Sequence, residues 1–131
     1  MLVDTSGLLC CFDSGDGRHV EAVKLFRQAD ARITHNYVLA EFVALCHARR
    51  HDPAKSLAFL ADLTDHPAVE VVWVSESLHR AAVSLLASRL DIRYSLADAV
   101  SFVVMRDRAL SVARTTDRHF SQEGFDRLLD P

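Results

Sequence analysis

Apolar residues fall along this chain in two arrangements, short unbroken runs and stripes at helical spacing. Met1-Leu2-Val3 is a run that ends in Asp4, Thr5 and Ser6. Such a run reads as a buried strand delivering Asp4 to its C-terminal end. Residues 6–12 follow as a short helix with Leu8, Leu9 and Phe12 on its apolar side. Asp13-Ser14-Gly15-Asp16-Gly17 is a loop. Residues 18–29 place Val20, Val23, Leu25 and Phe26 at helical spacing, and residues 31–34, centred on Ile33, fit a second strand.

Asn36 is the expected N-cap of a helix over 37–50, with Val38, Leu39, Phe42, Val43 and Cys46 as its stripe. Asp52-Pro53 restarts the chain, Asp as cap and Pro at the first helical position, and that helix runs to Leu63. The β-branched stretch 69–74 is a third strand. Ser75 caps a helix reaching Arg89, and Ser95 caps another through Arg108. The second of these is apolar on nearly every side (Val100, Phe102, Val103, Val104, Met105), as a buried helix is. Residues 110–113 form a fourth strand, 117–120 a loop or single turn, and 125–129 a fifth strand at the edge. The β–α alternation predicts an α/β fold: a parallel sheet of four to five strands, helices on both faces, one domain spanning 1–131.

Composition narrows the class. Half of the 131 residues are hydrophobic and a quarter are charged, the balance of a globular protein with a real core. A formal charge of −3 argues against a tight, non-specific coat on nucleic acid. It leaves open a nuclease whose metal ions offset a local acidic cluster. Cys10, Cys11 and Cys46 suggest neither a disulfide framework nor a zinc site, and fit free thiols in a reducing cytoplasm. No signal-like core and no 18-residue apolar run stands in the sequence, so a cytoplasmic protein with no membrane role is expected.

The chemistry lies in acids that the topology brings to one end of the sheet. Asp4 ends the first strand, Asp98 opens the buried helix, and Asp117 follows the fourth strand. Glu41 lies in the first turns of the helix after the second strand, about 130° from the centre of its apolar stripe. Each has an ordinary reading: Asp4 or Asp117 as a cap, Asp98 as a first-turn acid, Glu41 as a solvated helix acid. Together, buried carboxylates need cations. Hard oxygen ligands suit Mg²⁺ or Mn²⁺, which also bind phosphate oxygens. The set therefore predicts metal-assisted phosphodiester hydrolysis.

Asp4-Thr5-Ser6, Ala40-Glu41-Phe42, Ser95-Leu96-Ala97-Asp98-Ala99 and Thr115-Thr116-Asp117-Arg118-His119-Phe120 resemble the PIN domain. More closely, they resemble the VapC toxins of bacterial toxin–antitoxin pairs, across essentially the whole chain and in order. The resemblance implies a three-layer α/β/α sandwich and a Mg²⁺- or Mn²⁺-dependent endoribonuclease. It also implies homodimers and a small antitoxin that holds the enzyme inactive. It assigns Asp4, Asp98 and Asp117 to the metal, with Glu41 as the acid on the third helix. Thr116, or Thr5 and Ser6, would orient carboxylates or water, and His119 is read as structural or RNA-facing. Water as nucleophile would leave a 5′-phosphate and a 3′-hydroxyl, and attack by the RNA 2′-hydroxyl is the alternative.

Single-stranded or loop RNA would reach the crevice past Arg18, Arg93, Arg114 and Arg118, which sit on loops or element ends. Ordinary surface charge is their other reading, and His19 stays open as a contact. The segment 52–63 and the first helix, with Leu8, Leu9, Cys10 and Cys11, are candidates for an antitoxin groove. Two other acid-bearing α/β classes do not fit. A receiver domain needs an Asp ending the third strand, where Val74-Ser75 stands, and a haloacid-type phosphatase needs an Asp at position 6, which is Ser. A housekeeping nuclease in RNA maturation, and a PIN scaffold acting by protein binding alone, remain as alternatives.

Overall fold

The computed structural model describes residues 1–131. Its elements run β1 (Leu2–Val3), α1 (Thr5–Phe12), α2 (His19–Gln28), β2 (Arg32–His35), α3 (Asn36–Ala48) and α4 (Pro53–Asp65). Then come β3 (Val69–Val72), α5 (Glu76–Ala87), α6 (Leu96–Asp107), β4 (Val112–Arg114), α7 (Arg118–Gln122) and β5 (Asp126–Arg127). The strands form one sheet in the order β3-β2-β1-β4-β5, every neighbouring pair parallel. This is the expected α/β sandwich with all five strands present.

Period-two alternation divides the core between the two faces of the sheet. On one face Leu2, Ile33 and Ala113 pack with Ala82 of α5, with Ala99, Val100, Phe102, Val104 and Met105 of α6, and with Phe120 of α7. On the other, Val3 packs with Leu8 and Leu9 of α1, with Val38, Leu39, Phe42 and Cys46 of α3, and with Leu63 of α4. Helix α6 is buried on most sides, as its composition requires: of residues 97–105 only Val103 is not fully buried. No helix is long and apolar enough to cross a membrane.

The sheet order reverses between β1 and β4. From β1 the chain moves to β2 and β3 on one side, then returns to β4 and β5 on the other. That is a topological switch point, where the loops leaving two neighbouring strands diverge and open a crevice at their carboxyl ends. Asp4 and Asp117 both leave strands there. Helix α1 lies tight against β4 at this point. A Cβ on Gly7 would stand 2.2 Å from the Arg114 carbonyl oxygen, so only glycine permits the approach.

Three local expectations shift. Helix α3 is capped by His35, not Asn36: the imidazole Nδ1 accepts the Val38 N–H at 3.3 Å. Its Nε2 therefore carries the hydrogen and donates to Ser101 Oγ at 2.8 Å, tying α3 to α6. Burial pushes the His35 ring down to about 4. Asn36 Oδ1 instead accepts the Val74 N–H at 2.7 Å. Strand β3 stops at Val72 rather than reaching residue 74, because its one neighbour β2 ends at His35, the partner of Val72, where α3 begins. Residues 118–122 form the expected single turn as helix α7, whereas β5 keeps only two of its five expected residues.

Candidate active site

Asp4 is 4% exposed and carries one orphaned atom. Its Oδ2 accepts a hydrogen bond from Thr115 Oγ1 at 2.9 Å, while Oδ1 is buried with no partner. Thr115 spends its only proton on Asp4, so at their 3.0 Å contact Ser6 Oγ donates to Thr115 Oγ1. Ser6 in turn accepts the Thr116 N–H at 3.0 Å, and Thr115 accepts the Asp117 N–H, also at 3.0 Å. A directed chain of hydrogen bonds thus runs from the loop after β4 into the carboxylate that ends β1.

Asp98 arrives from the other layer. It is the third residue of α6 and closes a capping box with Ser95. Asp98 Oδ2 accepts the Ser95 N–H at 3.0 Å, and Ser95 Oγ accepts the Asp98 N–H at 3.0 Å. The capping role and the site role are therefore held by one side chain, and the amino end of α6 faces the other acids. Asp117 caps α7, its Oδ1 accepting the His119 N–H at 2.9 Å. Carboxylate oxygens of Asp98 and Asp117 and a ring nitrogen of His119 all lie within 4.8 Å of one another.

The electrostatics tie Glu41 and Asp4 to that group. Burial, and then the Asp98 charge, push the Asp4 carboxyl up to about 7, with Glu41 adding to the effect. Asp98 is raised too, first by burial and then by Asp117 and Glu41. No arginine or lysine pairs with any of the four acids. The ring they meet is His119, whose Nδ1 lies 3.5 Å from Asp98 Oδ2 and 3.4 Å from Asp117 Oδ1. Repelling carboxylates with a buried, unpartnered oxygen form a set that a hard divalent cation fits.

Some expected site residues take other roles. Arg114 is fully buried: Nη1 donates to the Ala22 carbonyl at 2.9 Å and the guanidinium lies over the Phe26 ring, so it cannot touch RNA. Helix α1 and helix α2 cover the end of β4 that the sequence pattern left open. Arg18 is bound by Asp16 in a two-bond ion pair, at 2.9 and 2.8 Å. Arg93 and Arg118 are exposed. The hydroxyl on Asp4 belongs to Thr115, not Thr116, whose backbone N–H does the work instead. Thr5 is buried with its hydroxyl unpartnered.

Sequence reasoning misses Thr115, and it reads His119 as structural or RNA-facing rather than as a neighbour of both carboxylates. Thr115 stands two residues before Asp117, hence on the same side of an extended segment, and that parity was the available signal. His119 was visible, but its direction depends on α7 forming.

Comparison with known proteins agrees with this geometry. Residues 1–125 match the model of the PIN domain family. The 23S rRNA-specific endonuclease VapC20 of Mycobacterium tuberculosis, in strains CDC 1551 / Oshkosh and ATCC 25618 / H37Rv, is 32% identical over 126 residues, 95% of each chain. The crystal structure of Mycobacterium tuberculosis VapC20, described as a sarcin-ricin loop cleaving toxin, matches with a TM-score of 0.88 at 31% identity. That match covers 99% of this chain and 98% of the other. Sheet order, acidic crevice and whole-length similarity agree: the chain belongs to the PIN domain family and, within it, to the VapC type.

Proposed function

We propose that this protein is a divalent-metal-dependent endoribonuclease acting as the toxin of a toxin–antitoxin pair. The observation that carries the reading is the convergence of Asp4, Glu41, Asp98 and Asp117 without an arginine or lysine among them. Asp4, Asp98 and Asp117 would hold Mg²⁺ or Mn²⁺, with Glu41 beside them. When bound, such an ion supplies charge stabilisation at a phosphate oxygen and lowers the pKa of water.

The chain's own residues prepare the site for that ion. Thr115 fixes one Asp4 oxygen and leaves the other free. The Ser95 N–H fixes Asp98 Oδ2. Burial of both aspartates keeps bulk water from screening their charge. Arg93 and Arg118 flank the crevice in sequence, next to Tyr94 and Asp117, and are the side chains we assign to RNA phosphates.

The VapC20 relative is named for 23S rRNA, and its structure for the sarcin-ricin loop. A structured ribosomal RNA loop is accordingly the substrate class we assign here. An apolar groove of about 210 Å³ between α1, α2 and α4, lined by Leu8, Cys11, Val23, Phe26, Phe59 and Leu63, supports the antitoxin reading. Leu9 and Cys10, also considered for that groove, turn into the core. A homodimer in the cytoplasm is part of the same proposal.

The test is cleavage of ribosomal RNA by the purified chain with Mn²⁺ or Mg²⁺, with Asp98→Asn as the contaminant control. Discrete metal-dependent cuts bearing 5′-phosphates, absent with Asp98→Asn, are expected. Equal cleavage by both proteins, or none by either, would overturn the reading.

A further inference from the structure

We propose that His119 is a nitrogen ligand of the ion held by Asp98 and Asp117, and that it biases this centre towards Mn²⁺ over Mg²⁺. The inference rests on the metal centre proposed above and adds one residue to it.

The geometry is that of a ligand. His119 Nδ1 lies 3.5 Å from Asp98 Oδ2 and 3.4 Å from Asp117 Oδ1. Adjacent ligands of an octahedral ion with bonds of about 2.1 Å stand about 3 Å apart, so a contraction of about half an ångström brings the nitrogen to ligand spacing from each carboxylate. The Nδ1 atom is buried and makes no hydrogen bond. Beside this trio stands Asp4, whose buried Oδ1 is likewise without a partner and on which Asp98 acts more strongly than any other charge. Two orphaned ligand atoms from different elements therefore border one acidic group.

The ring is also held in place, as a ligand must be. Its edge meets the Tyr94 ring at a centroid distance of 5.0 Å and an angle of 75°. Tyr94 is fixed by its hydroxyl, which donates to Glu123 Oε1 at 2.8 Å. Glu123 is itself held by Arg89 and Arg106. An edge-to-face contact with a ring held in this way restricts the rotation of the imidazole. The ordinary role for His119 is a cation paired to both carboxylates, which would need no ion.

The choice of ion follows from ligand type. Carboxylates suit Mg²⁺ and Mn²⁺ alike, but imidazole favours first-row transition ions over Mg²⁺. A site with one nitrogen and several carboxylate oxygens is thus less tolerant of Mg²⁺ than an all-oxygen site.

The experiment loads the full chain with one equivalent of Mn²⁺ alone and records electron spin-echo envelope modulation, which detects nitrogen bound directly to the ion. Wild type is expected to show that modulation, and His119→Gln to lose it. His119→Gln should still bind Mn²⁺ about tenfold more weakly, with its Mg²⁺ affinity changed by less than about threefold. His119→Asn is the second variant should the first not fold. Bound Mn²⁺ without nitrogen modulation in wild type, or modulation retained in the variant, overturns the role of His119 and leaves the acidic centre standing. Failure of wild type to bind Mn²⁺ overturns both.

Discussion

Thr115 donates its hydroxyl hydrogen to Asp4 Oδ2 at 2.9 Å, joining the loop after β4 to the end of β1 across the point where the sheet reverses. The bond selects which Asp4 oxygen stays free. Thr115→Val keeps the shape and removes the donor. A hydrogen bond to a charged group contributes about 1.5–3 kcal/mol, so RNA cleavage should fall by about 10- to 100-fold. Thr115→Ser should retain most activity. Single-turnover rates for the two variants check this, and equal rates would remove Thr115 from the site.

Asp4 titrates at about 7 when folded, against an ordinary 3.8. Between those values the folded chain holds a proton the unfolded chain has released. Stability of the ion-free protein therefore rises as pH falls from 7 towards 4, and is lost as pH rises through 7. His35 acts in the opposite sense. Its ring is held near 4 against an ordinary 6.5, so the unfolded chain protonates first and stability declines as pH falls from 6.5 towards 4. Asp4→Asn separates the two. Ion-free Asp4→Asn should be more stable than wild type at pH 8, by about 2 kcal/mol, with the gap closing towards pH 5. Mn²⁺ should raise the wild-type Tm more at pH 8 than at pH 6, because the ion competes with the Asp4 proton, and should barely move the variant. Calorimetric melts across pH check both.

Gly7 stands where any Cβ would collide with the Arg114 carbonyl. Gly7→Ala must push α1 away from β4, costing about 1–3 kcal/mol in stability. The same movement withdraws Ser6 from Thr115 and Thr116, so cleavage should fall along with Tm. A variant with lowered Tm and full activity would show that the Ser6 bonds are not needed.

The arginines divide by burial. Arg93→Ala and Arg118→Ala should each weaken RNA binding and reduce the salt dependence of log K by about 0.7, the single-strand value per phosphate contact, with Tm unchanged. Arg114→Met should alter Tm and leave the salt dependence intact, since its guanidinium faces Ala22 and Phe26. Binding isotherms over a range of salt distinguish the two classes.

The fold was legible because each element carried its own signal. Val3 and Asp4 announce a buried strand and its polar exit, and the all-round apolarity of residues 99–105 announces a buried helix. Asp98 could be placed because Ser95 marks the start of α6. What escaped depended on contacts between distant segments. Arg114 reads as an exposed strand-end cation until α2 brings the Ala22 carbonyl over it. Thr115 and Thr116 are the same residue type; the two-residue spacing of Thr115 from Asp117 is a faint signal, and the packing of α1 through Gly7 fixes which hydroxyl meets Asp4. Asn36 outranks histidine as a cap by preference, yet its side chain is drawn to Val74 on a neighbouring segment, which leaves His35 to serve α3.

In the proposed site Asp4, Asp98 and Asp117 would share one divalent cation. Anomalous diffraction from crystals of the full chain soaked in Mn²⁺ tests it most directly. A manganese peak within coordination distance of oxygens from all three aspartates is expected. An empty crevice at saturating Mn²⁺, or a peak bound elsewhere on the surface, would contradict it.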